Sequence, residues 1–262
     1  MNSITHYKLN LANISDNLRG KINSKIVPWI YSNDYGFETI IPTLKIKSKK
    51  LATGKHIKVG LFIGVGSLFN IAPCIDVDFF LTIDRNGFVL DRVKEMVDGI
   101  KQADLPSEYK AYVEPEDYFS TLERMNIDVK NFWLAEHKSF GKKHFLASMQ
   151  NYKRARLTLT TRPVLYVQGD LSFEAFVKAL SAALNNTVIS YMNVSDLGEW
   201  SQKALDLLPQ LPIARDVLIS WSTNQHHDGV PVTRLTQGYE HFLKDAKTIS
   251  CGLPVNYFRR FE

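Results

Sequence analysis

The chain has 262 residues, which is long enough for one large domain or for one domain with a cap. Hydrophobic residues make up 45% and charged residues 23% of the chain, and this balance excludes a disordered or a collagen-like protein. The net charge of +5 is only mildly basic, and the two cysteines, Cys74 and Cys251, exclude a disulfide scaffold and a zinc site built on paired cysteines.

Residues 1–50 are predicted to form an N-terminal cap on the rest of the chain. Apolar positions over 4–31 recur at helical spacing until Pro28 interrupts them. The segment 36–46 then predicts a short strand. Residues 51–262 are predicted to form the second and main unit.

Short apolar runs alternate with helical patterns from residue 57 onwards. The runs are rich in β-branched and aromatic residues, as expected of buried strands, and they lie at 57–63, 77–83, 164–167, 187–192 and 217–221. Helices are predicted between them at 67–72, 88–101, 172–184 and 199–208. Residues 104–161 do not alternate, and they are predicted to be an inserted helical lid with helices at 116–125 and 131–153.

Strands separated by helices form a parallel sheet with right-handed crossovers. The predicted fold class is therefore α/β, with a doubly wound, mainly parallel Rossmann-like sheet, helices on both faces, the N-terminal cap and the inserted lid. Such sheets bind ligands at the carboxyl ends of their strands, near the point where the strand order reverses. The candidate residues there are Gly64, Val65, Gly66, Ser67 and Asn70 after the first strand, Asp84 and Arg85 after the second, Gly169, Asp170 and Leu171 after the third, Met192, Asn193 and Asp196 at the fourth, and 222–227 after the fifth.

Gly64 and Asp84 carry the most specific part of this prediction. Glycines after the first strand let the backbone turn sharply and approach a ligand without a clashing Cβ. The helix that follows presents free N–H groups to a polar ligand. Asp84 comes twenty positions after Gly64. An acidic residue at that distance accepts hydrogen bonds from both ribose hydroxyls, so we expect a nucleoside cofactor.

This succession of residues resembles the class I S-adenosylmethionine-dependent methyltransferases over roughly 57–222. The residues that match the motifs of that family are Gly64, Gly66 and Ser67 after strand one, Asp84 at the end of strand two and Asp170 after strand three. The resemblance implies that S-adenosylmethionine is the cofactor and that its methyl group passes to an unidentified acceptor, a small molecule or an anionic ligand. It also implies an antiparallel strand pair after the fifth strand, for which we expect a strand at 254–260.

The resemblance also implies a role for each candidate residue. The cofactor contacts are expected from Gly64, Val65, Gly66, Ser67, Asn70, Asp84, Arg85, Gly169, Asp170, Leu171, Met192 and Asn193. Asn193 and Asp196 are expected to position the acceptor, with catalysis arising mainly from proximity and in-line orientation.

Two other functions are open at this point. Gly66 and Ser67, followed by Asp76 and Asp78, resemble the signature of nucleotidyltransferases, in which a Gly-Ser turn holds a phosphate and two aspartates hold magnesium. A Rossmann-like binding protein without catalytic activity is the other alternative, since a fold does not establish a function.

Two groups of basic residues are candidate contacts for an anionic partner such as RNA, a phosphorylated ligand or a lipid surface. The first group is Lys45, Lys47, Lys49, Lys50, Lys55 and Lys58, and the second is Lys142, Lys143, His144, Lys153, Arg154 and Arg156. We expect an anionic acceptor to use the second group. No apolar run reaches the roughly 18 residues of a membrane span, and no secretory signal is visible, so a cytoplasmic location is expected, with signal-independent export left open.

Overall fold

The computed structural model describes residues 3–20, 37–51, 55–64, 67–113, 140–194, 201–227 and 230–250. Within these residues, one six-stranded sheet has the spatial order β3-β2-β1-β4-β5-β6. The strands are β1 (Ile57–Ile63), β2 (Phe79–Asp84), β3 (Val164–Gln168), β4 (Thr187–Asn193), β5 (Ile213–His227) and β6 (Val230–Gln237). The strands β1 to β5 run parallel to one another, whereas β6 is antiparallel to β5.

Both faces of the sheet are buried, which explains why the central strands are near-continuous apolar runs in the sequence. Side chains that follow one another along a strand point to opposite faces. In β1, Phe62 therefore lies in one core cluster and Leu61 in the other. In β2, Phe80 and Leu81 divide in the same way.

Helices cover each face of the sheet. One face, here called the α2 face, is covered by α2 (Phe37–Lys50), α3 (Leu68–Ile71), α4 (Gly87–Gln102), α5 (Pro106–Val113) and α6 (Met149–Thr161). The opposite face, the α1 face, is covered by α1 (Ser3–Ala12), α7 (Glu174–Ala183), α8 (Gln202–Leu207) and α9 (Tyr239–Ser250). The prediction of a mainly parallel, doubly wound Rossmann-like sheet with helices on both faces is confirmed. None of the described helices has the length and apolarity that a membrane crossing requires.

The prediction of a strand at 36–46 is wrong, because residues 37–46 belong to α2. Phe37, Ile40, Ile41 and Leu44 have the spacing of one side of a helix, and all four are buried against the sheet. Pro42 usually interrupts a helix. Here it lies on the exposed side of α2, and burial of the four apolar side chains outweighs its cost.

The fifth strand is longer than predicted. The polar segment 222–227 was expected to form a loop after this strand, but β5 continues through it to His227 and pairs with β6. The segment contains no apolar residue, so hydrophobic periodicity does not reveal it as a strand. The predicted strand at 254–260 lies outside the described residues.

Only parts of the predicted cap and lid are described. From the cap, α1 and α2 lie on opposite faces of the sheet, and the domain boundary at residue 50 stays a prediction. From the lid, α6 contacts α4 and the turn at 72–74. The predicted helix at 116–125 lies outside the described residues. The helix predicted at 131–153 is described only from residue 140, and there the prediction is wrong, because the helix begins at Met149, is capped by Ser148 and continues to Thr161.

Candidate cofactor-binding site

The strand order reverses between β1 and β4. The helices that follow β1 and β2 cover the α2 face, and those that follow β3 and β4 cover the α1 face. Crossovers that leave on opposite faces open a crevice at the carboxyl ends of the two strands, which is where such sheets bind ligands. Phe62 is paired with Asn193 in the register of β1 and β4, so Gly64 and Asn193 border this crevice.

Gly64 forms a turn directly after β1. Its φ angle is +71°, a backbone conformation that side chains with a Cβ rarely adopt. Its amide N donates a hydrogen bond of 3.0 Å to the carbonyl oxygen of Ile83, which ties the turn to β2. A Cβ placed on Gly64 would lie 3.7 Å from Oδ2 of Asp84. Glycine therefore leaves the approach to this carboxylate open. Val65 and Gly66 lie outside the described residues.

Asp84 ends β2 and is held in place by the loop that enters α4. Its Oδ1 atom accepts a hydrogen bond of 2.7 Å from the amide N of Asn86. Asn86 in turn caps α4, since its Oδ1 atom accepts a hydrogen bond of 3.1 Å from the amide N of Phe88. Burial raises the pKa of the Asp84 carboxyl, and the N–H group of Asn86 partly opposes this effect. Arg85 is exposed beside it.

Ser67 and Asn70 follow the Gly64 turn, and both are buried. The Ser67 side chain is 2% exposed, and its Oγ atom has no hydrogen-bond partner among the described residues. A buried hydroxyl without a partner is costly, so a polar ligand at this position would satisfy it. Asn70 serves a structural contact, because its Oδ1 atom accepts a hydrogen bond of 2.8 Å from the amide N of Phe145.

The segment after β3 is engaged by other parts of the chain. The amide N of Asp170 donates to the carbonyl oxygen of Arg19 at 2.8 Å, and Oδ1 of Asp170 accepts from Oγ of Ser172 at 2.6 Å. A Cβ on Gly169 would meet the ring of Phe176, so this glycine permits close packing. Leu171 is buried in the core of the α1 face. The predicted cofactor contacts of these residues stay predictions.

Asn193 belongs to a buried polar group that links β4 to β5. Its Nδ2 atom donates a hydrogen bond of 3.0 Å to Oγ of Ser220, which also lies 2.6 Å from the hydroxyl of Tyr191. The side chain of Met192, in contrast, is fully buried in the core of the α1 face. Asp196 lies outside the described residues.

Sequence reasoning missed Tyr191 and Ser220. Both stand inside apolar runs that were interpreted only as strands. A serine in the middle of a buried strand is itself the signal, because its hydroxyl requires a partner inside the core.

Asp76 and Asp78 lie at the opposite edge of the sheet from Gly64. The side chain of Asp76 pairs with Lys58, and Oδ2 of Asp78 accepts a hydrogen bond of 2.7 Å from the amide N of Lys58. Lys58 is at the amino end of β1, and six residues of strand at about 3.3 Å each separate it from Gly64 by roughly 20 Å. The arrangement required of a nucleotidyltransferase is therefore not formed. The described residues contain no group of three or more potential metal ligands.

The comparisons with known proteins give only distant likenesses. No protein-family model and no curated protein sequence matches the chain. Two similar solved structures are both of the rRNA methyltransferase AviRa from Streptomyces viridochromogenes. One is 12% identical, with a TM-score of 0.42, and the match covers 95% of this chain and 96% of that chain. The other is 13% identical, with a TM-score of 0.40, and covers 94% and 96%. Likenesses this distant carry no conclusion about function, and the strand order itself establishes the Rossmann-like fold.

Proposed function

We propose that this protein binds S-adenosylmethionine and transfers its methyl group to an acceptor. The observation that carries the proposal is the contact between Gly64 and Asp84 at the reversal of strand order. A half-buried carboxylate beside a glycine turn matches the two hydroxyls of a ribose, which donate hydrogen bonds to it. The antiparallel pairing of β6 with β5 also agrees with what the resemblance to class I methyltransferases implies.

The turn after β1 favours an adenosyl cofactor without phosphates over a dinucleotide. A dinucleotide-binding turn requires a third glycine, but Phe69 stands at that position and stacks against Phe145 with ring centroids 5.4 Å apart. The helix that follows the turn spans only Leu68–Ile71. A helix of one turn provides little of the dipole that stabilises a pyrophosphate. S-adenosylmethionine carries no phosphate and needs neither feature.

The residues at the crevice fit the adenosyl group. Gly64 leaves space in front of Asp84, Asp84 accepts hydrogen bonds from the ribose, and Ser67 contributes its unsatisfied hydroxyl. When bound, the cofactor supplies a methyl group on a sulfonium, and the sulfur retains the electron pair of the S–C bond that breaks. Asn193 positions the acceptor, and its amide is oriented by Ser220.

Calorimetry with S-adenosylmethionine, NAD and ATP–Mg²⁺ in parallel tests this proposal. We expect binding of S-adenosylmethionine alone. Binding of NAD alone or of ATP–Mg²⁺ alone would contradict it. Incubation with S-adenosylmethionine labelled in the methyl group, followed by separation of nucleic acids, proteins and small molecules from a cell extract, then tests transfer. Binding without any transfer of label would identify a binding protein instead.

A further inference from the structure

The basic residues at 142–156 do not all belong to one surface. His144 is buried, and Arg156 is engaged by Asp104 at 2.7 Å and by the carbonyl oxygen of Lys101 at 3.1 Å. These two residues are therefore not available to an anionic partner. The basic residues of this region that remain exposed are Lys142, Lys143, Lys153 and Arg154.

Lys45 of α2 joins these residues from a distant part of the sequence. Both α2 and α6 contact the turn at 72–74, and α2 also contacts the turn at 141–143. Cys74 belongs to the turn at 72–74, which both helices contact. Burial raises the pKa of the Cys74 thiol, and the positive charges of Lys45, Arg154 and Lys143 oppose that effect. We call Lys45, Lys142, Lys143, Lys153 and Arg154 the basic surface.

Hydrogen bonds fix the basic surface relative to the candidate site. The Nδ2 atom of Asn151 donates to the carbonyl oxygens of Lys142 at 2.8 Å and of His144 at 3.0 Å, which holds the turn at 141–143 against α6. The bond from Phe145 to Asn70 then ties the same segment to α3, directly after the Gly64 turn. These bonds hold the turn at 141–143, α6 and α3 in a fixed arrangement, so the basic surface is preformed.

The positive charges of the basic surface are not neutralised within the described part of the chain. None of its five residues forms an ion pair there, whereas Lys58, Arg156 and Arg162 each face an aspartate. The helix α6 contains no acidic residue at all. Unpaired cations from separate elements of a fold are the electrostatic footprint of a polyanion-binding protein.

The exposed side of α6 distinguishes among polyanions. A helix that lies on a lipid surface inserts its apolar side, but the apolar side of α6, with Tyr152, Ala155 and Leu159, is already buried in the core. Its exposed side alternates cations with two apolar residues, Met149 at 40% and Leu157 at 65% exposure. Phosphates contact the cations of such a surface, whereas the faces of unpaired bases stack on the guanidinium plane of an arginine such as Arg154, with apolar side chains beside it. In a duplex these base faces are stacked on one another and are not accessible.

We propose that the basic surface binds a single-stranded nucleic acid, and RNA is the probe that tests it. Binding of this nucleic acid stands on the basic surface alone, whereas its identity as the methyl acceptor rests on the proposed function. The nucleic acid runs across α6 and the turn at 141–143, and the hydrogen bond between Phe145 and Asn70 joins the segment after that turn to α3.

Fluorescence anisotropy of the full chain with a labelled 20-nucleotide RNA of mixed sequence, measured over a range of salt concentrations, tests this inference. The variant Lys45→Gln/Lys143→Gln/Arg154→Gln is expected to bind about tenfold more weakly or worse. Loss of three phosphate contacts to a single strand should lower the slope of log affinity against log salt by about two. The matched control removes three exposed charges away from the basic surface, with Lys8→Gln, Lys203→Gln and Arg215→Gln, and is expected to bind like the wild type.

The proposal is overturned if the wild type does not bind this RNA at low salt, or if the two triple variants bind alike while circular dichroism shows both folded. Preference for a fully paired duplex of the same sequence, or for phosphatidylserine vesicles over RNA, would also overturn it. Calorimetry with S-adenosylmethionine on the same samples separates the two proposals. RNA binding without cofactor binding contradicts only the proposed function, and cofactor binding without RNA binding contradicts only the RNA proposal.

Discussion

The Oδ2 atom of Asp84 lies 3.7 Å from the position that a Cβ on Gly64 would occupy. The two residues end neighbouring strands, and the hydrogen bond from the Gly64 amide N to the Ile83 carbonyl keeps them together. A half-buried carboxylate thus lies at the carboxyl edge of the sheet, and no side chain of Gly64 covers it.

Replacement of Asp84 by asparagine is expected to stabilise the ligand-free protein at neutral pH. Burial raises the pKa of this carboxyl above its ordinary value of 3.8, so the ionised form is less favourable in the folded chain than in the unfolded one. The resulting destabilisation is present above the raised pKa and absent below 3.8. Thermal unfolding should give Asp84→Asn a higher Tm at pH 7, and this difference should vanish in acid. An equal difference at every pH would show that the charge is not its cause.

Affinity for S-adenosylmethionine is expected to fall as the pH decreases through the raised pKa of Asp84. Ribose hydroxyls donate to the ionised carboxylate, so the bound state favours the deprotonated form. Calorimetry between pH 7 and pH 4 should show this loss for the wild type. The Asp84→Asn variant cannot titrate at this position and should show a flat profile over the same range. A wild-type profile that is equally flat would remove Asp84 from the ligand contacts.

The Gly64→Val variant is expected to lose both stability and ligand binding. A branched side chain at a φ of +71° costs about 1–2 kcal/mol, and it also fills the approach to Asp84. Gly238 offers a matched control, because its φ is +88° and it lies where β6 ends, opposite the amino-terminal part of β5. Both valine variants should unfold more easily in urea, but only Gly64→Val should bind S-adenosylmethionine at least about tenfold more weakly.

The Ser220→Ala variant is expected to destabilise the fold by about 1–3 kcal/mol, because the Tyr191 hydroxyl and the Asn193 amide each lose a buried partner. In a double-mutant cycle with Tyr191→Phe, the two effects should not add, since they remove the same hydrogen bond. Ser181→Ala removes an exposed hydrogen bond to Gln210 and should cost only about 0.5 kcal/mol. Additive effects in the cycle would show that the hydroxyls of Tyr191 and Ser220 do not interact.

Much of the fold could be predicted from the sequence, because buried parallel strands produce short apolar runs that are easily recognised. The runs at 57–63 and 187–192 correspond closely to β1 and β4. Two of the incorrect secondary-structure predictions arose because the local sequence pattern there does not show the contacts that the segment makes in the folded protein. Pro42 obscured the helical spacing of α2, and the polar segment 222–227 gave no sign of its pairing with β6.

The candidate site was less predictable than the fold. The spacing of Gly64 and Asp84 predicted that these two residues form part of one site, and the structure brings them together. Gly64 directly follows β1, and Asp84 ends the neighbouring strand β2. The contact between Asp170 and Arg19 was not predictable, because it joins segments about 150 residues apart in the chain and leaves no periodic signal. The same holds for Lys45 in the basic surface, because the packing of α2 against the turns at 72–74 and 141–143 joins segments about a hundred residues apart.

The most direct test of the central claim compares S-adenosylmethionine binding by Asp84→Asn and Asp78→Asn, measured by calorimetry. Asp84 faces the Gly64 turn, and its substitution is expected to weaken binding by about 1–3 kcal/mol, because the ribose loses a charged acceptor. Asp78 is bonded to Lys58 at the opposite edge of the sheet, so its substitution should leave the affinity unchanged. Loss of binding in Asp78→Asn with wild-type binding in Asp84→Asn would contradict the proposed site.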